Sequence, residues 1–347
     1  MTAATRRRAL VLGAAVVVVV VLPACGGGSP SILDHHGPEA RHVAGVWWLM
    51  FGLAAVVYVV VAGLVVIAIV RGRGDHPGPP AGESAAEPTV AAASGPSESA
   101  FIWAGGIVAP VAILALLAVM TVNTTKDLRR PERGELTVEV TAKRWWWDVR
   151  YPESGVATAS EIHIPVGRPI HVVLRSDNVV HSFWVPQLAG KLDAVPGQTN
   201  HLRFQASEAG TYLGECAEYC GIQHARMGFE VIAEAPADFD RWLARRSSAG
   251  TGPTTEQAAE GQRVFMREAC AGCHTIRNTE AVGRIGPDLS DFGSRRWIGS
   301  VTVPNNTGNL AGWISDSQTI KPGNLMPPIS LEPDELSAIV AYLESLK

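Results

Sequence analysis

At 347 residues the chain exceeds one typical domain and has room for two or three. Its 47% hydrophobic and 18% charged residues are ordinary for a globular protein, but the apolar residues concentrate in three blocks near the N-terminus. A net charge of −4, without a long Lys/Arg run, gives no sign of a nucleic-acid partner. The five cysteines, at 25, 216, 220, 270 and 273, form an isolated residue and two close pairs, and each finds a use other than a disulfide.

The chain opens with Arg6, Arg7 and Arg8 before an apolar run from Ala9 to Leu22, too short to span a bilayer comfortably. Residues 1–24 thus read as an export signal of the lipoprotein type. Leu22-Pro23-Ala24-Cys25-Gly26 resembles a bacterial lipobox, in which Cys25 is acylated. Two apolar stretches, 40–72 and 101–123, are each long enough to cross the hydrocarbon layer as helices. Residues 73–100, rich in Gly, Pro, Ala, Ser and Glu, join them as a cytoplasmic loop. An exported N-terminus and two crossings leave everything beyond residue 123 outside the cytoplasm, at a bacterial plasma membrane.

From 134 to 235 the pattern has period two, as in Leu136, Val138 and Val140, with Pro and Gly turns between runs. That predicts an antiparallel β-sandwich. Residues 236–255 read as a linker with a short helical piece at its start, and 256–347 as an all-α domain, with Pro333 opening its last helix.

The most informative stretch is Gly210 to Met227. Cys216, Cys220, His224 and Met227 fall within twelve residues of a loop between two predicted strands. Soft sulfur with imidazole favours copper, and a weak Met ligand is a usual tuning element of electron-transfer copper. One cysteine serves a mononuclear site; a second lets both sulfurs bridge two copper ions. Each copper needs one more strong ligand, which His224 supplies for one. His181, in Asn178-Val-Val-His181, is the best candidate for the other. Neither a Cys216–Cys220 disulfide nor a zinc loop accounts for Met227. His163, His171 and His201 have no partners in sequence and read as ordinary surface or core residues.

This loop meets the pattern G-x-C-x-E-x-C-G-x-x-H-x-x-M in full, and with His181 it closely resembles subunit II of the cytochrome c oxidase type of haem–copper oxygen reductase. The resemblance covers roughly residues 40–235 and implies a cupredoxin-like sandwich. It implies that Cys216 and Cys220 bridge the metals, that His181 and His224 are terminal ligands, and that Met227 is axial. Glu218 would offer its carbonyl to one copper and its carboxylate to a magnesium site shared with the catalytic subunit. The patch Trp145-Trp146-Trp147 matches the family's aromatic patch, which implies that Trp145 is the platform receiving electrons. Strand alternation expects Trp145 and Trp147 on one face and Trp146 on the other. Glu98 is the nearest acidic residue before the second apolar stretch. It does not align with the acidic position the family often has there.

Cys270-Ala-Gly-Cys273-His274 is the signature for covalent haem c, with both thiols on the porphyrin and His274 on the iron. Met326, on the Pro-flanked loop Lys321-Pro-Gly-Asn-Leu-Met326-Pro, supplies the sixth ligand; His/Met ligation suits electron transfer. Residues 256–347 resemble a class I cytochrome c. That resemblance implies that the Pro287 carbonyl orients His274 and that Gly261, Phe265 and Tyr342 form a crossed-helix contact.

The expectation is subunit II of a respiratory oxidase. Electrons from a cytochrome bc-type complex or cytochrome c would reach the haem, then the copper pair, then the catalytic subunit I that reduces oxygen and moves protons. Further oxidase subunits are expected partners. The alternatives are the same copper module serving another reductase, or a free-standing lipid-anchored electron carrier.

Overall fold

A computed structural model describes residues 30–71, 96–128, 131–248 and 252–347. The leader 1–24, Cys25 and most of the 73–100 loop lie outside the described residues.

Helix α1 (Pro38–Arg71) is apolar on every side, and Trp48, Tyr58 and Val59 project from it with no protein covering them. Its mean hydropathy peaks at 3.1, and that of the span Ser99–Leu128 at 2.4. Helices apolar all round and uncovered suit a lipid environment. The second span begins as α2 (Pro96–Trp103), passes through a π-helical turn (Ala104–Val108) and continues as α3 (Ala109–Leu128). Pro110 explains the wider turn: it has no N–H for the i→i−4 ladder, so the preceding turn loosens around it. This span starts earlier and ends later than the 101–123 expected. The residues leading into α1 are tied to the β-domain. The His36 amide donates to the Gln187 carbonyl at 2.8 Å, and the Ser207 amide to the His36 carbonyl at 2.7 Å. The start of α1 and the β-domain that follows α3 therefore share one end of the helix pair.

The β-domain is a sandwich of two five-stranded sheets. One runs β3 (Val156–Ala159), β2 (Trp146–Tyr151), β1 (Leu136–Lys143), β5 (Ile170–Ser176), β8 (Asn200–Phe204). The other runs β4 (Glu161–Pro165), β10 (Gly228–Glu234), β9 (Gly210–Cys216), β6 (His181–Trp184), β7 (Leu192–Ala194). Alternation in β1 is complete, with Leu136, Val138, Val140 and Ala142 buried. Trp147 fills the centre edge-on to Phe183 and Phe229, at ring separations of 5.6 and 5.3 Å. Truncating such a residue costs about 3–5 kcal/mol. Two pairings are parallel, β1 with β5 and β4 with β10, in a sandwich expected to be antiparallel.

The short helical piece expected at the start of the 236–255 stretch is helix α4 (Pro236–Ser247), and its Phe239 and Trp242 belong to the sandwich core. The C-terminal domain holds α5 (Glu256–Arg267), α6 (Cys270–Cys273), the short pair β11 (Trp297–Ile298) and β12 (Val303–Pro304), α7 (Thr307–Ile320) and α8 (Pro333–Ser345). Helices α5 and α8 cross at Gly261, where a Cβ would stand 1.9 Å from the Ala338 carbonyl oxygen; only glycine permits that approach. Phe265 meets Tyr342 edge-on beside it.

The two domains pack on each other through a buried charge cluster. His163 on β4 sits 2.8 Å from Glu161 and 3.4 Å from Glu234 and stacks on Trp242. Arg246 on α4 reaches Glu161 at 3.8 Å and Asp291 of the C-terminal domain at 3.0 Å. His163 is thus a partnered core residue; the Glu-x-His alternation on one strand was the available signal. Burial disfavours its charge, but the hydrogen bond to Glu161 and the nearby Glu234 carboxylate outweigh burial and raise its pKa above its ordinary value. A raised histidine pKa stabilises the fold below the unfolded value and loses that effect as pH rises through the folded one. His163→Gln should therefore cost about 1–3 kcal/mol near pH 6. The gap between the two thermal unfolding midpoints should narrow steadily toward pH 9.

Candidate metal centres

Strand β9 ends at Cys216, and the loop it feeds returns to β10 through Met227; the Cys216 amide donates to the Met227 carbonyl at 3.2 Å and closes the loop's mouth. Strand β6 pairs with β9 through Phe183 and Cys216, which brings His181 to the same place from 35 residues upstream. The two sulfurs stand 3.8 Å apart as free thiols. Cys216 Sγ lies 3.8 Å from His181 Nδ1, and Cys220 Sγ 3.8 Å from His224 Nδ1 and 3.9 Å from Met227 Sδ. Each thiol thus faces its own imidazole. Asn178 Oδ1, 3.1 Å from His181 Nε2, fits the tautomer that leaves Nδ1 free as a ligand.

The Glu218 carbonyl accepts from Cys216 Sγ at 3.2 Å, while the Glu218 residue itself is exposed. A hydrogen bond from Cys220 holds the Cys216 thiol far below its usual pKa, and that same bond, with burial and the charge on Cys216, pushes Cys220 up. The pair parts with one proton readily and the second only to a cation. Two thiols, two imidazoles, a thioether and a carbonyl form a soft, mostly buried donor set that fits copper. The structure brings all six sequence-predicted residues together.

The second centre is a cavity lined by Cys270, Cys273, His274, Pro287, Leu289 and Met326, among others. His274 Nδ1 donates to the Pro287 carbonyl at 2.8 Å, which leaves Nε2 as the free ring nitrogen. Gly286 permits this: a Cβ there would fall 2.5 Å from the imidazole. Burial lowers the His274 pKa and so favours the neutral, ligating form. The Met326 loop is anchored by its own backbone, whose carbonyl accepts from Ser317 Oγ at 3.0 Å and Gln318 Nε2 at 2.8 Å. Arg295 and Trp297 also line the cavity, and Arg295 Nε and Trp297 Nε1 are buried without a hydrogen-bond partner among the described residues. Orphaned donors in an apolar cavity suit a flat apolar group with acidic edges, as a haem is.

Trp145 departs from expectation. It occupies the turn between β1 and β2, not a strand, and it is only 8% exposed. Trp147 lies in the core, and Trp146 is half-buried at the haem cavity. Trp145 is not open to solvent: the 321–323 segment of the C-terminal domain packs against it. Its Nε1 donates to the Cys220 carbonyl at 2.9 Å, and its own carbonyl accepts from Lys321 at 2.8 Å. Lys321, a residue that sequence reasoning did not single out, is buried between the two centres. Burial pushes its ammonium down to about 7, Arg226 adds to that, and Cys220 opposes it.

Residues 154–234 match the family described as cytochrome c oxidase subunit II, periplasmic domain, and residues 258–347 match the family described as cytochrome c. Over 248 residues the chain is 40% identical to cytochrome c oxidase subunit 2 of Alkalihalophilus pseudofirmus, covering 69% of this chain and 71% of that one. Over 265 residues it is 31% identical to the protein of the same name from Bacillus sp. strain PS3, covering 71% and 73%. A crystal structure of the periplasmic domain of subunit II of cytochrome oxidase from Bradyrhizobium japonicum is 28% identical, with 33% of this chain and 95% of that one covered and a TM-score of 0.32.

Proposed function

The chain belongs to the cytochrome c oxidase subunit 2 family and ends in a cytochrome c domain, and from that premise we propose that it takes electrons at a covalently held haem c and passes them by way of a dinuclear copper centre to the catalytic subunit. At the coarser level it is an electron-transfer subunit of a haem–copper oxidase complex, anchored by membrane helices with its β-domain extracytoplasmic. Its partners are the other oxidase subunits. The subunit II domain implies copper, and the cytochrome domain implies haem. Bound in place, these groups supply reversible one-electron chemistry.

In this reading Cys216, Cys220, His181 and His224 would hold the copper pair, with Met227 and the Glu218 carbonyl as further ligands. The exposed Glu218 carboxylate would serve a magnesium ion shared with the catalytic subunit. Cys270 and Cys273 would hold the haem, His274 and Met326 would ligate its iron, and the Pro287 carbonyl orients His274. Cys25 carries the lipid after the leader is removed, and the membrane is the bacterial plasma membrane. The donor is a cytochrome bc-type complex or cytochrome c, and the complex moves protons as it reduces oxygen. Trp145 receives the electron from the fused domain instead of from a soluble partner.

The observation that carries this reading is the convergence of the His181, Cys216, Cys220, His224 and Met227 donor atoms beside Trp145, whose other side is covered by the Met326 domain. Rapid mixing of the intact complex with reduced cytochrome c tests it. The haem c band should be reduced first and the copper near-infrared band should bleach after it; the reverse order would overturn the reading.

A further inference from the structure

Lys321 is 2% exposed, and its ammonium donates to three backbone carbonyls from three separate segments. They are Trp145 at 2.8 Å, Arg226 at 2.7 Å and Gly299 at 2.7 Å. An ammonium has three donors and no acceptor, and here it meets three acceptors. Its place is what matters. Arg226 immediately precedes Met227 of the copper loop, Trp145 is bonded to the Cys220 carbonyl, and Gly299 lines the haem cavity. Lys321 itself begins the loop that carries Met326.

Two further bonds run beside it. Gln223 Nε2 donates to the Pro322 carbonyl at 2.6 Å, and Arg226 Nη1 to the Ile320 carbonyl at 2.5 Å. An unbroken series of bonds thus leads from Cys220 through the Trp145 side chain and backbone to Lys321 and along five residues to Met326. Removing the ammonium would leave the Trp145 and Arg226 carbonyls at the junction short of a donor, while the Gly299 carbonyl keeps Thr302 Oγ1, and that penalty falls on the docked arrangement.

We propose that Lys321 is a positioning residue for electron transfer between the two domains: its three-carbonyl clamp locks the Met326 loop onto the copper loop across Trp145 and fixes the gap the electron must cross. This rests on the reading of the two domains as haem- and copper-bearing. A tether alone sets only an effective concentration; the clamp selects one geometry out of the many a tether allows.

The test uses the purified oxidase complex. Brief treatment with acetic anhydride, followed by peptide mass spectrometry, compares Lys321 with the exposed Lys347 in the unaltered protein. Lys321 should react at least about tenfold more slowly, since only the undocked population exposes it; equal rates would overturn the clamp. The variant Lys321→Met keeps the length of the side chain and removes the charge. It should retain both metal spectra and the rate at which a small external reductant reduces the haem, while haem-to-copper transfer slows about tenfold or more. An unchanged internal rate would refute the proposal. If Lys321→Met does not assemble, the labelling of the unaltered protein decides. Absence of haem c or copper signals from the unaltered protein would instead refute the reading of the domains, and the labelling result would still judge the clamp.

Discussion

Cys216→Ser is expected to abolish the near-infrared absorption of the copper centre and leave the haem c spectrum intact. Serine is nearly the size of cysteine but carries a hard oxygen that stays protonated at neutral pH, whereas a thiolate is the copper ligand. The site is built so that each sulfur faces one imidazole, Cys216 with His181 and Cys220 with His224, and one sulfur cannot serve both sides. The loss should therefore be complete. The haem cavity draws none of its thiols from this loop, so its spectrum should not move. Optical titration of the purified variant, with copper and haem quantified separately, checks both halves. Disappearance of both signals in a folded variant would show that the two centres had been wrongly separated.

Met326→Leu should do the converse. Leucine keeps the bulk and removes the thioether, so the haem loses its soft axial ligand and its reduction potential falls by roughly 0.1 V or more. The loop should hold its position, because its anchors are the backbone carbonyl of residue 326 and the side chains of Ser317 and Gln318. A lower potential makes reduction by the external donor harder and the onward step to copper more downhill. Turnover should then become limited by arrival of electrons, with copper content unchanged. A potentiometric titration that left the haem potential where it was would remove Met326 from the ligand set.

The chemistry-bearing loops were legible because their residues are close in sequence: Cys216 to Met227 is one loop, and Cys270 to His274 one helix end. Even His181, 35 residues away, could be assigned from the need for a second strong ligand. The membrane helices were legible from apolar length, although the second one runs on at both ends beyond its apolar stretch.

What escaped were contacts between distant segments. Lys321 meets Trp145 across 176 residues, and a lysine before Pro-Gly reads as a surface turn until another domain is seen to cover it. Trp145 was placed by strand alternation, which fails because the chain turns at Arg144 and Trp145 before β2 begins. The Arg246–Asp291 pair was invisible for a similar reason: each residue is unremarkable until helix α4 is laid against the C-terminal domain. Burial of charge is a property of the assembled domains, and no local pattern announces it.

The whole account depends on two copper ions sharing one unpaired electron between the sulfurs of Cys216 and Cys220. Electron paramagnetic resonance of the copper-loaded complex, with the haem contribution subtracted, measures this directly. Hyperfine structure split equally by two copper nuclei is the predicted result; the pattern of a lone cupric ion, or silence because zinc or a cystine fills the loop, would contradict it.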